Sequence, residues 1–298
     1  MPSPSLKEIY RMAGQFNPSG EVTFKRLKGY ESITSAATAY TSTITFTEPV
    51  ADGIGLLTVG NAGTDETDTL AVTIQGSGES SRTVQASAQD TSLELREGAS
   101  TNVKLANKFV VASTIEGIPK IGLLLKQVGS VSGNVFITLE ADSSGDPSGT
   151  ALHTSANVDA STISTSFEHV EFTFAVEPVL TAATYWIVLQ GTYTASASVN
   201  IEWGVDTVSA DGLISKYDGT NWSAVTTQSG DCYIDTRDYT DLGSFGTVLG
   251  DDTYASQTQE LALKTAYPYI RAKLVSVSGN SVSMPVESIV VGYPSKTL

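Results

Sequence analysis

Cysteine and histidine, the residues that most often carry metal or nucleophilic chemistry, are scarce in this chain. Cys232 is the one cysteine among 298 residues, which excludes an internal disulfide and leaves no second thiol for a zinc site. Because it falls in an alternating apolar pattern, we expect a buried, unreactive thiol. A Ser-His-Asp triad would have to use His153 or His169, and no Gly-x-Ser-x-Gly nucleophile elbow is present. His169 falls in a strand pattern, so we expect an exposed strand histidine. The sequence predicts a protein that is not an enzyme.

Long apolar runs and an excess of positive charge are missing too. The apolar stretches are of strand length, shorter than the roughly 20 residues that span a bilayer. Residues 1–30 contain no apolar segment typical of a secretory signal. The formal net charge is −15, which argues against binding to nucleic acid because phosphate contacts need a cationic surface. We therefore expect neither membrane insertion nor nucleic-acid binding.

The charge is unevenly distributed along the chain. Residues 1–30 hold five basic and two acidic side chains, a net charge of +3, and the remainder carries −18. Ser5 and Glu8 fit a capping box ahead of a short amphipathic helix that Gly14 would end. We predict that residues 1–29 form an anchoring arm whose partner-binding residues are Leu6, Ile9, Tyr10, Arg11, Lys25, Arg26 and Lys28. The alternative is a solvated leader with an ordinary lysine content.

The rest of the chain has the period-two pattern of an antiparallel β-sandwich. Segments 41–47 and 70–75 alternate apolar and polar residues, as strands with one solvated face do. From Asn107 to Asp238, about nine such runs are separated by turn residues. We predict an all-β fold with a short N-terminal helix. In it, residues 30–98 and 239–298 form a split β-sandwich, and residues 99–238 are an inserted jelly-roll β-sandwich. The repeated Ser-Val-Ser-Gly-Asn at 130–134 and 276–280 predicts two hairpin turns.

The inserted segment offers two kinds of candidate ligand site. Oxygen-rich loops offer hard ligands for calcium at Asp142, Asp146, Asp206 and Asp211, although these residue types are also ordinary in turns. No other cofactor is predicted. Aromatic residues beside acidic loops, Trp203, Tyr217 and Trp222, are candidates for stacking on a glycan, and half-buried edge tryptophans are the competing interpretation. Trp186 lies within an apolar strand and is expected in the core.

Three segments carry a resemblance to a known group of proteins. Tyr267-Pro-Tyr-Ile-Arg-Ala-Lys-Leu, followed by Val277-Ser-Gly-Asn, resembles the ending of small β-sandwich proteins from tailed-bacteriophage particles. Segments 40–46 and 68–77 look similar to the first half of the same proteins. The chain departs from that pattern in its serine-rich segment 77–89 and in the large insertion. The insertion, with Gly129–Gly133 and Gly145–Gly149, resembles jelly-roll modules of phage and bacterial surface proteins.

The resemblance implies a structural role and carries over no catalytic residue. It implies a virion protein, assembled in the host cytoplasm, that decorates a capsid or forms a head fibre. The major capsid protein or another virion protein would be its partner, and a homo-oligomer, with a trimer as our expectation, would be its assembled state. The alternative is a tail or baseplate adhesion module that binds host-surface carbohydrate through the inserted jelly roll.

Overall fold

The computed structural model describes residues 22–28, 31–34, 37–47, 52–60, 69–96, 102–196, 198–207, 213–225, 227–249, 256–277 and 283–294. The predicted helix, with Leu6, Ile9, Tyr10 and Arg11, lies outside these residues, as does Asp211. Apart from one 3-10 turn at Ala160–Thr162, the elements in these ranges are strands, and their sheets are antiparallel. The all-β prediction is therefore confirmed. No helix in these ranges is long and apolar enough to span a membrane.

The strands are numbered in chain order. The first group is β1 Val22–Lys28, β2 Glu31–Thr34, β3 Ala37–Tyr40, β4 Ile44–Thr45, β5 Gly53–Gly60 and β6 Thr69–Ser77. The middle group is β7 Ser81–Ala86, β8 Thr91–Leu95, β9 Lys104–Val111, β10 Gly117–Val128, β11 Asn134–Ser143, β12 Asp146–Thr154, β13 Val158–Asp159, β14 Glu168–Thr173, β15 Ala183–Gly191, β16 Asn200–Asp206, β17 Ile214–Tyr217, β18 Trp222–Val225, β19 Ser229–Gly230 and β20 Cys232–Arg237. The last group is β21 Thr240–Ser244, β22 Val248–Leu249, β23 Ser256–Leu263, β24 Tyr269–Val277 and β25 Ser283–Pro294.

The chain divides into two compact units. Residues 1–78 and 240–298 make the first, and residues 79–239 make the second. The chain thus first passes from one unit to the other between Gly78 and Glu79, and not near the predicted boundary at residue 98. The reason is strand pairing: β7 pairs with β20 and β8 pairs with β16, so both belong to the second unit.

The first unit is a sandwich of two sheets. Sheet I has the order β1-β25-β5-β23, with β2 also on β25, and sheet II has the order β21-β6-β24-β3, with β4 on β24 and β22 on β6. Alternation places every second residue of β6 in the core, for example Leu70, Val72 and Ile74, which are fully buried. They share one apolar cluster with Leu57 and Ile289 of sheet I. The predicted pattern of one-sided strands is confirmed here.

Arg271 is an exception to the rule that charged side chains face solvent. It follows the core residue Ile270 on β24 and so lies on the outer face of sheet II, yet it is fully buried. Its Nε donates to Gln75 Oε1 at 2.9 Å, and Gln75 Nε2 donates to Asp241 Oδ1 at 2.7 Å. Its guanidinium carbon is 4.3 Å from the ring centroid of Tyr40. This polar chain joins β3, β6, β21 and β24 across one sheet.

The second unit is a larger sandwich. Sheet III has the order β19-β16-β10-β20-β7, with β14 on β10 and β8 on β16, and sheet IV has the order β12-β11-β15-β9-β17-β18, with β13 on β11. The chain passes between the two sheets repeatedly, from β8 to β9 to β10 to β11 and again from β14 to β17, as in a jelly roll. One apolar cluster with members in both sheets fills the interior and contains Cys232. The expected burial of that thiol is confirmed.

The segment Ser130–Asn134 does not form the predicted hairpin. Gly129 and Gly133 adopt positive φ angles of 70° and 122°, as the glycine content suggested. However, the preceding strand β10 lies in sheet III and the following strand β11 lies in sheet IV. The turn therefore carries the chain from one sheet of the sandwich to the other. The second copy, at 276–280, falls mostly outside the described residues.

The second unit leaves and re-enters the first through neighbouring strands. In the first unit, Gly76 of β6 pairs with Thr240 of β21. In the second unit, Ser81 of β7 pairs with Thr236 of β20. An inserted unit whose two ends lie side by side disturbs its host sheet little.

Candidate ligand-binding face of the second unit

Trp203 is not available to a ligand, so its proposed glycan role is wrong. Its side chain is fully buried in the second unit's core, and its Nε1 donates to the carbonyl oxygen of Asp231 at 3.0 Å. A tryptophan indole that is buried needs such a partner for its N–H. The residue instead fixes β16 against the turn that precedes β20.

Tyr217 and Trp222 do come together. They are paired in register at the end of the β17–β18 hairpin, and their ring centroids are 5.0 Å apart at an interplanar angle of 41°. Both side chains are half-buried. The turn between them is held by Asp218, whose Oδ1 accepts from the backbone N–H groups of Thr220 at 2.8 Å and Asn221 at 2.7 Å. These amides lower the pKa of the Asp218 carboxyl.

The aromatic pair is one end of a row of side chains that crosses sheet IV. Register pairs link β11, β15, β9, β17 and β18 through Phe136, Gln190, Lys104, Tyr217 and Trp222. Residues that pair directly across strands project from the same face, and here it is the face opposite the core residues Val135, Leu189 and Leu105. All five side chains are half-buried. The row spans four inter-strand spacings, roughly 19 Å.

Apolar packing supports this row from one side. In the next row of the same face, Val188 and Ala106 pair in register and are fully buried. They form a small cluster with Trp186, against which Trp222 and Leu213 pack. Trp186 is fully buried, as predicted, but on this outer face rather than in the central core. The Trp222 ring therefore packs against buried side chains that hold it in place.

Trp186 is held by a polar and a cationic neighbour. Its Nε1 donates to Asp142 Oδ1 at 2.9 Å, and Lys108 Nζ lies 5.9 Å from its ring. Lys104 has the same relation to Tyr217, with Nζ 5.6 Å from the ring centroid. The outer face of sheet IV thus carries two lysines, each within reach of an aromatic ring.

Of the four aspartates proposed for calcium, the three that the structure describes, Asp142, Asp146 and Asp206, do not form a metal site together. Asp142 uses one carboxylate oxygen for Trp186, and its Oδ2 accepts from Gly145 N at 3.1 Å. Asp146 starts β12 in sheet IV, whereas Asp206 is buried at the end of β16 in sheet III. No group of three or more histidine, cysteine, aspartate or glutamate side chains within the described ranges could hold a metal ion. The oxygen-rich turn at Asp142 is explained by turn geometry.

A polar network that sequence reasoning missed covers the outer face of sheet III. Arg82 binds Asp235 through Nε at 2.8 Å and Nη2 at 3.1 Å, and Lys120 Nζ lies 2.6 Å from Glu171 Oε1. Tyr233 donates to the same Glu171 oxygen at 2.8 Å. Hydrogen bonds from Lys120 and Tyr233 lower the pKa of Glu171, and burial raises the pKa of Tyr233 to about 12. The available signal was the charged residues within these strand patterns, Arg82 on β7, Lys120 on β10 and Asp235 on β20.

The histidines lie apart in the second unit. His169 is exposed on β14, as expected, with its Nε2 3.9 Å from Asp231 Oδ1 and its ring 5.1 Å from that of Tyr233. His153 lies on β12 of the other sheet, and burial lowers its pKa. Burial also raises the pKa of the Cys232 thiol. Because the thiolate is the reactive form, a raised pKa makes this cysteine inert at neutral pH.

Three of the proposed anchor residues lie on β1, at the edge of sheet I. Arg26 is exposed. Lys25 is half-buried, with its Nζ bonded to the carbonyl oxygen of Thr45 and 5.4 Å from the ring of Phe46. Lys28 is the last residue of the strand. The basic charge of residues 22–28 thus belongs to a folded strand, and the arm proper ends before Val22.

Comparisons with known proteins give little guidance. No family model matches the chain, and no curated protein matches it. Among solved structures, the VP2 subviral particle of infectious bursal disease virus aligns at a TM-score of 0.26 and 8% identity, covering 94% of this chain and 82% of that chain. The D431N mutant VP2 protein of the same virus, in T=1 particles, aligns at 0.28 and 9%, covering 93% and 78%. These TM-scores are too low to establish a shared fold, so nothing about this chain follows from them.

Proposed function

We propose that this chain is a non-enzymatic structural protein of a tailed-phage particle that decorates the capsid or projects from it. The observation that carries the proposal is the placement of the three segments that resemble phage-particle proteins. Segment 68–77 contains β6, segment 267–277 contains β24, and segment 40–46 contains β4. β24 pairs with β6 along nine residues, from Tyr269–Ser77 to Val277–Thr69, and with β3 and β4 on its other edge. The resemblance therefore falls on one contiguous sheet.

In this proposal the first unit is the base and the second unit is the displayed part. The N-terminal arm, residues 1–21, and the basic edge strand β1 contact an acidic surface of the major capsid protein or another virion protein. Arg26 is exposed on β1, and an exposed cation on an edge strand can contact an acidic partner while opposing self-aggregation. A homo-oligomer, with a trimer as the expected state, completes the base. Native mass spectrometry of the purified protein measures that number.

The copy number of the chain per purified particle tests the main proposal. Quantitative mass spectrometry against the major shell protein should find it as a regular component. A number comparable to that of the shell protein places it on the capsid lattice, and a small number places it on fibres or the tail. A particle that lacks the chain would overturn the virion proposal.

Two variants test the attachment surface separately. Deleting residues 1–21 removes the arm but leaves β1, and Arg26→Glu reverses one exposed charge without removing the strand. The deletion should abolish attachment to particles assembled without the chain. Arg26→Glu should weaken attachment and reduce its dependence on salt. Lys216→Glu, in the second unit, is the matched control and should attach normally. Full attachment of the deleted form would show that the arm is not the anchor.

A second candidate function is favoured by one observation, the Tyr217–Trp222 pair on the outer face of the second unit. Two half-buried rings at 5.0 Å beside a polar row are the kind of platform on which a sugar ring stacks. In this case the second unit binds host-surface carbohydrate as an adhesion module. Trp222→Ala should abolish retention of the protein on host cells, whereas Val176→Ala, at an exposed residue between β14 and β15, should leave it unchanged. Equal retention of both variants would remove this candidate.

A further inference from the structure

The second unit is strongly acidic, so a cation there that has no acidic partner points to a site for an anionic ligand. Residues 79–239 include 19 acidic and 8 basic residues, a net charge of −11. Four of the cations lie on strands of sheet III, and each is in an ion pair. The pairs are Arg82 with Asp235, Lys120 with Glu171, Lys126 with Glu202 and Arg237 with Glu177. Arg96 donates to the carbonyl oxygen of Gly191 at 2.7 Å. Each of these five cations thus already has a partner.

Two lysines of the outer face of sheet IV are different. Within the residues that the structure describes, neither Lys104 nor Lys108 has a carboxylate within ion-pair distance. Both are half-buried and lie beside aromatic rings. Lys216, the remaining cation, pairs in register with the core residue Leu105 and so lies on the opposite face. Lys104 and Lys108 therefore lack an acidic partner among the described residues, and they lie on the face that carries the aromatic pair.

The two lysines differ in what surrounds them. Lys108 is in register with Trp186, which is in register with Glu140, and Trp186 is already held by Asp142. Lys104 is in register with Tyr217 on one side and Gln190 on the other. Gln190 uses its amide nitrogen to donate to Thr138 Oγ1 at 3.0 Å, which leaves its carbonyl oxygen as an acceptor. Lys104 is thus the one cation in the row that crosses sheet IV, and it lies between the Gln190 amide and the aromatic pair.

We propose that this row binds a saccharide that carries a carboxylate, with a sugar ring stacked on Tyr217 and Trp222 and the carboxylate paired with Lys104. The assignment rests on the second candidate function and adds the class of sugar. The C–H face of a sugar ring packs on aromatic rings, and the row of roughly 19 Å accommodates more than one ring. A half-buried ammonium group gains more from a carboxylate than a fully hydrated one does, because its hydration is already reduced. Hydroxyl groups of the ligand meet the Gln190 carbonyl oxygen.

Asp218 sets a limit on where the carboxylate can lie. It follows Tyr217 directly, and its charge is held by two turn amides, which lower its pKa and keep it ionised. A ligand carboxylate on the hairpin side of the ring pair would meet that charge. The carboxylate must therefore lie on the Lys104 side, toward the middle of sheet IV. This orientation places the sugar chain along the row and not around the hairpin tip.

The test uses the full chain and a matched pair of probes. A uronic-acid oligosaccharide and its methyl ester present the same rings with and without the charge, and a sulfated oligosaccharide supplies a different anion. Isothermal titration should show the uronate binding about ten-fold more tightly than the ester, which corresponds to about 1.4 kcal/mol. The preference should fall as salt is added, since the pair is partly exposed.

Three variants separate the parts of the proposal. Lys104→Met keeps the apolar stem and should remove the preference while leaving binding of the ester intact. Trp222→Ala should lose both probes. Lys216→Met, on the opposite face, should behave as the unaltered protein. Unchanged melting temperatures show that each variant is folded.

The outcomes distinguish the acidic-sugar assignment from carbohydrate binding in general. Equal binding of uronate and ester, or a preference that survives in Lys104→Met, overturns the acidic-sugar assignment while leaving carbohydrate binding standing. Tighter binding of the sulfated probe than of the uronate overturns the carboxylate class. Binding of no saccharide at all overturns this assignment together with the second candidate function, and leaves the structural virion proposal untouched.

Discussion

The ring of Tyr233 occupies the space that a side chain at position 122 would need. Gly122 and Tyr233 are paired in register on β10 and β20, and a Cβ atom on Gly122 would lie 2.2 Å from Tyr233 Cε1. On the same ring, the Arg82 guanidinium carbon lies 3.5 Å from the centroid. The glycine thus allows the tyrosine to lie close to the sheet, where it joins Arg82 to Glu171.

Gly122→Ala should therefore destabilise the second unit. The ring would have to move, and overpacking of this kind costs about 1–3 kcal/mol. Loss of the Arg82 stacking and of the Glu171 hydrogen bond should follow. Thermal unfolding is the measurement. Gly78→Ala is the control, because a Cβ there meets nothing within 4 Å. Equal melting temperatures for the two variants would contradict the packing argument.

Asp231 should make the protein less stable at neutral pH than at acid pH. It is 3% exposed and its Oδ1 has no hydrogen-bond partner. Burial raises the pKa of this carboxyl, repulsion from Asp206 raises it further, and His169 opposes the change. A pKa raised on folding stabilises the folded state below the unfolded pKa, and that contribution is lost as pH rises through the folded pKa.

Asp231→Asn should accordingly raise the melting temperature at about pH 7, and the gain should shrink toward about pH 3, below the ordinary aspartate pKa. Glu171→Gln is the control of opposite sign. The pKa of Glu171 is lowered by Lys120 and Tyr233, so its contribution is present at neutral pH and is lost as pH falls. Its variant should be less stable than the unaltered protein near pH 7 and similar to it in acid. A gain for Asp231→Asn that is the same at all pH values would refute the assignment.

Arg271→Lys should be a damaging substitution despite the retained charge. Lysine has no Nε–H that could reach Gln75 in the same geometry, and it cannot stack its charge flat on Tyr40. Because the site is fully buried, breaking the network is expected to cost about 3 kcal/mol or more. Arg26→Lys on the exposed β1 is the control and should change stability by less than about 0.5 kcal/mol. Denaturant titration compares the two.

The second unit should fold when residues 79–239 are expressed alone. All its sheet partners and its apolar cluster come from those residues. In the complementary variant, a short turn joins Gly78 to Thr240, and the first unit should also fold because Gly76 and Thr240 are already paired. Circular dichroism and dispersed amide resonances are the measurements. Cooperative unfolding in neither fragment would mean that the two units depend on each other.

Cys232 should resist thiol reagents until the second unit unfolds. It is fully buried between the sheets, and its pKa is raised by that burial and by Asp231. Labelling by iodoacetamide should be undetectable in native buffer and complete in denaturant. A Ser223→Cys variant, exposed on β18, is the positive control. Rapid native labelling of Cys232 would show that the sandwich opens locally.

Local patterns were sufficient to predict the strands but not their partners. The alternation of Leu70, Val72 and Ile74 predicted β6 and its buried face. Nothing local in the segment 79–98 indicates which sheet it joins, because β7 and β8 find their partners more than 100 residues away, at Asp235 and Glu202. The boundary was misplaced for that reason.

In the candidate site, too, features close in sequence were predictable and features that depend on strand pairing were not. Tyr217 and Trp222 are close in sequence, and their hairpin turn made the pair predictable. Trp203 has a similar sequence setting and yet is buried, since its face of β16 points to the core, and one strand's alternation does not say which face is inner. Lys104 was missed because its relation to Tyr217 depends on register between β9 and β17.

The two adjacent crossings between the units also mark a position where the second unit could be replaced by another domain. Because Gly76 pairs with Thr240 and Ser81 pairs with Thr236, any domain that begins and ends on neighbouring antiparallel strands would fit between residues 78 and 240. The first unit would keep its own core through such a replacement. If the two units have the functions proposed above, one recombination event would replace the ligand-binding unit and leave the attachment unit unchanged.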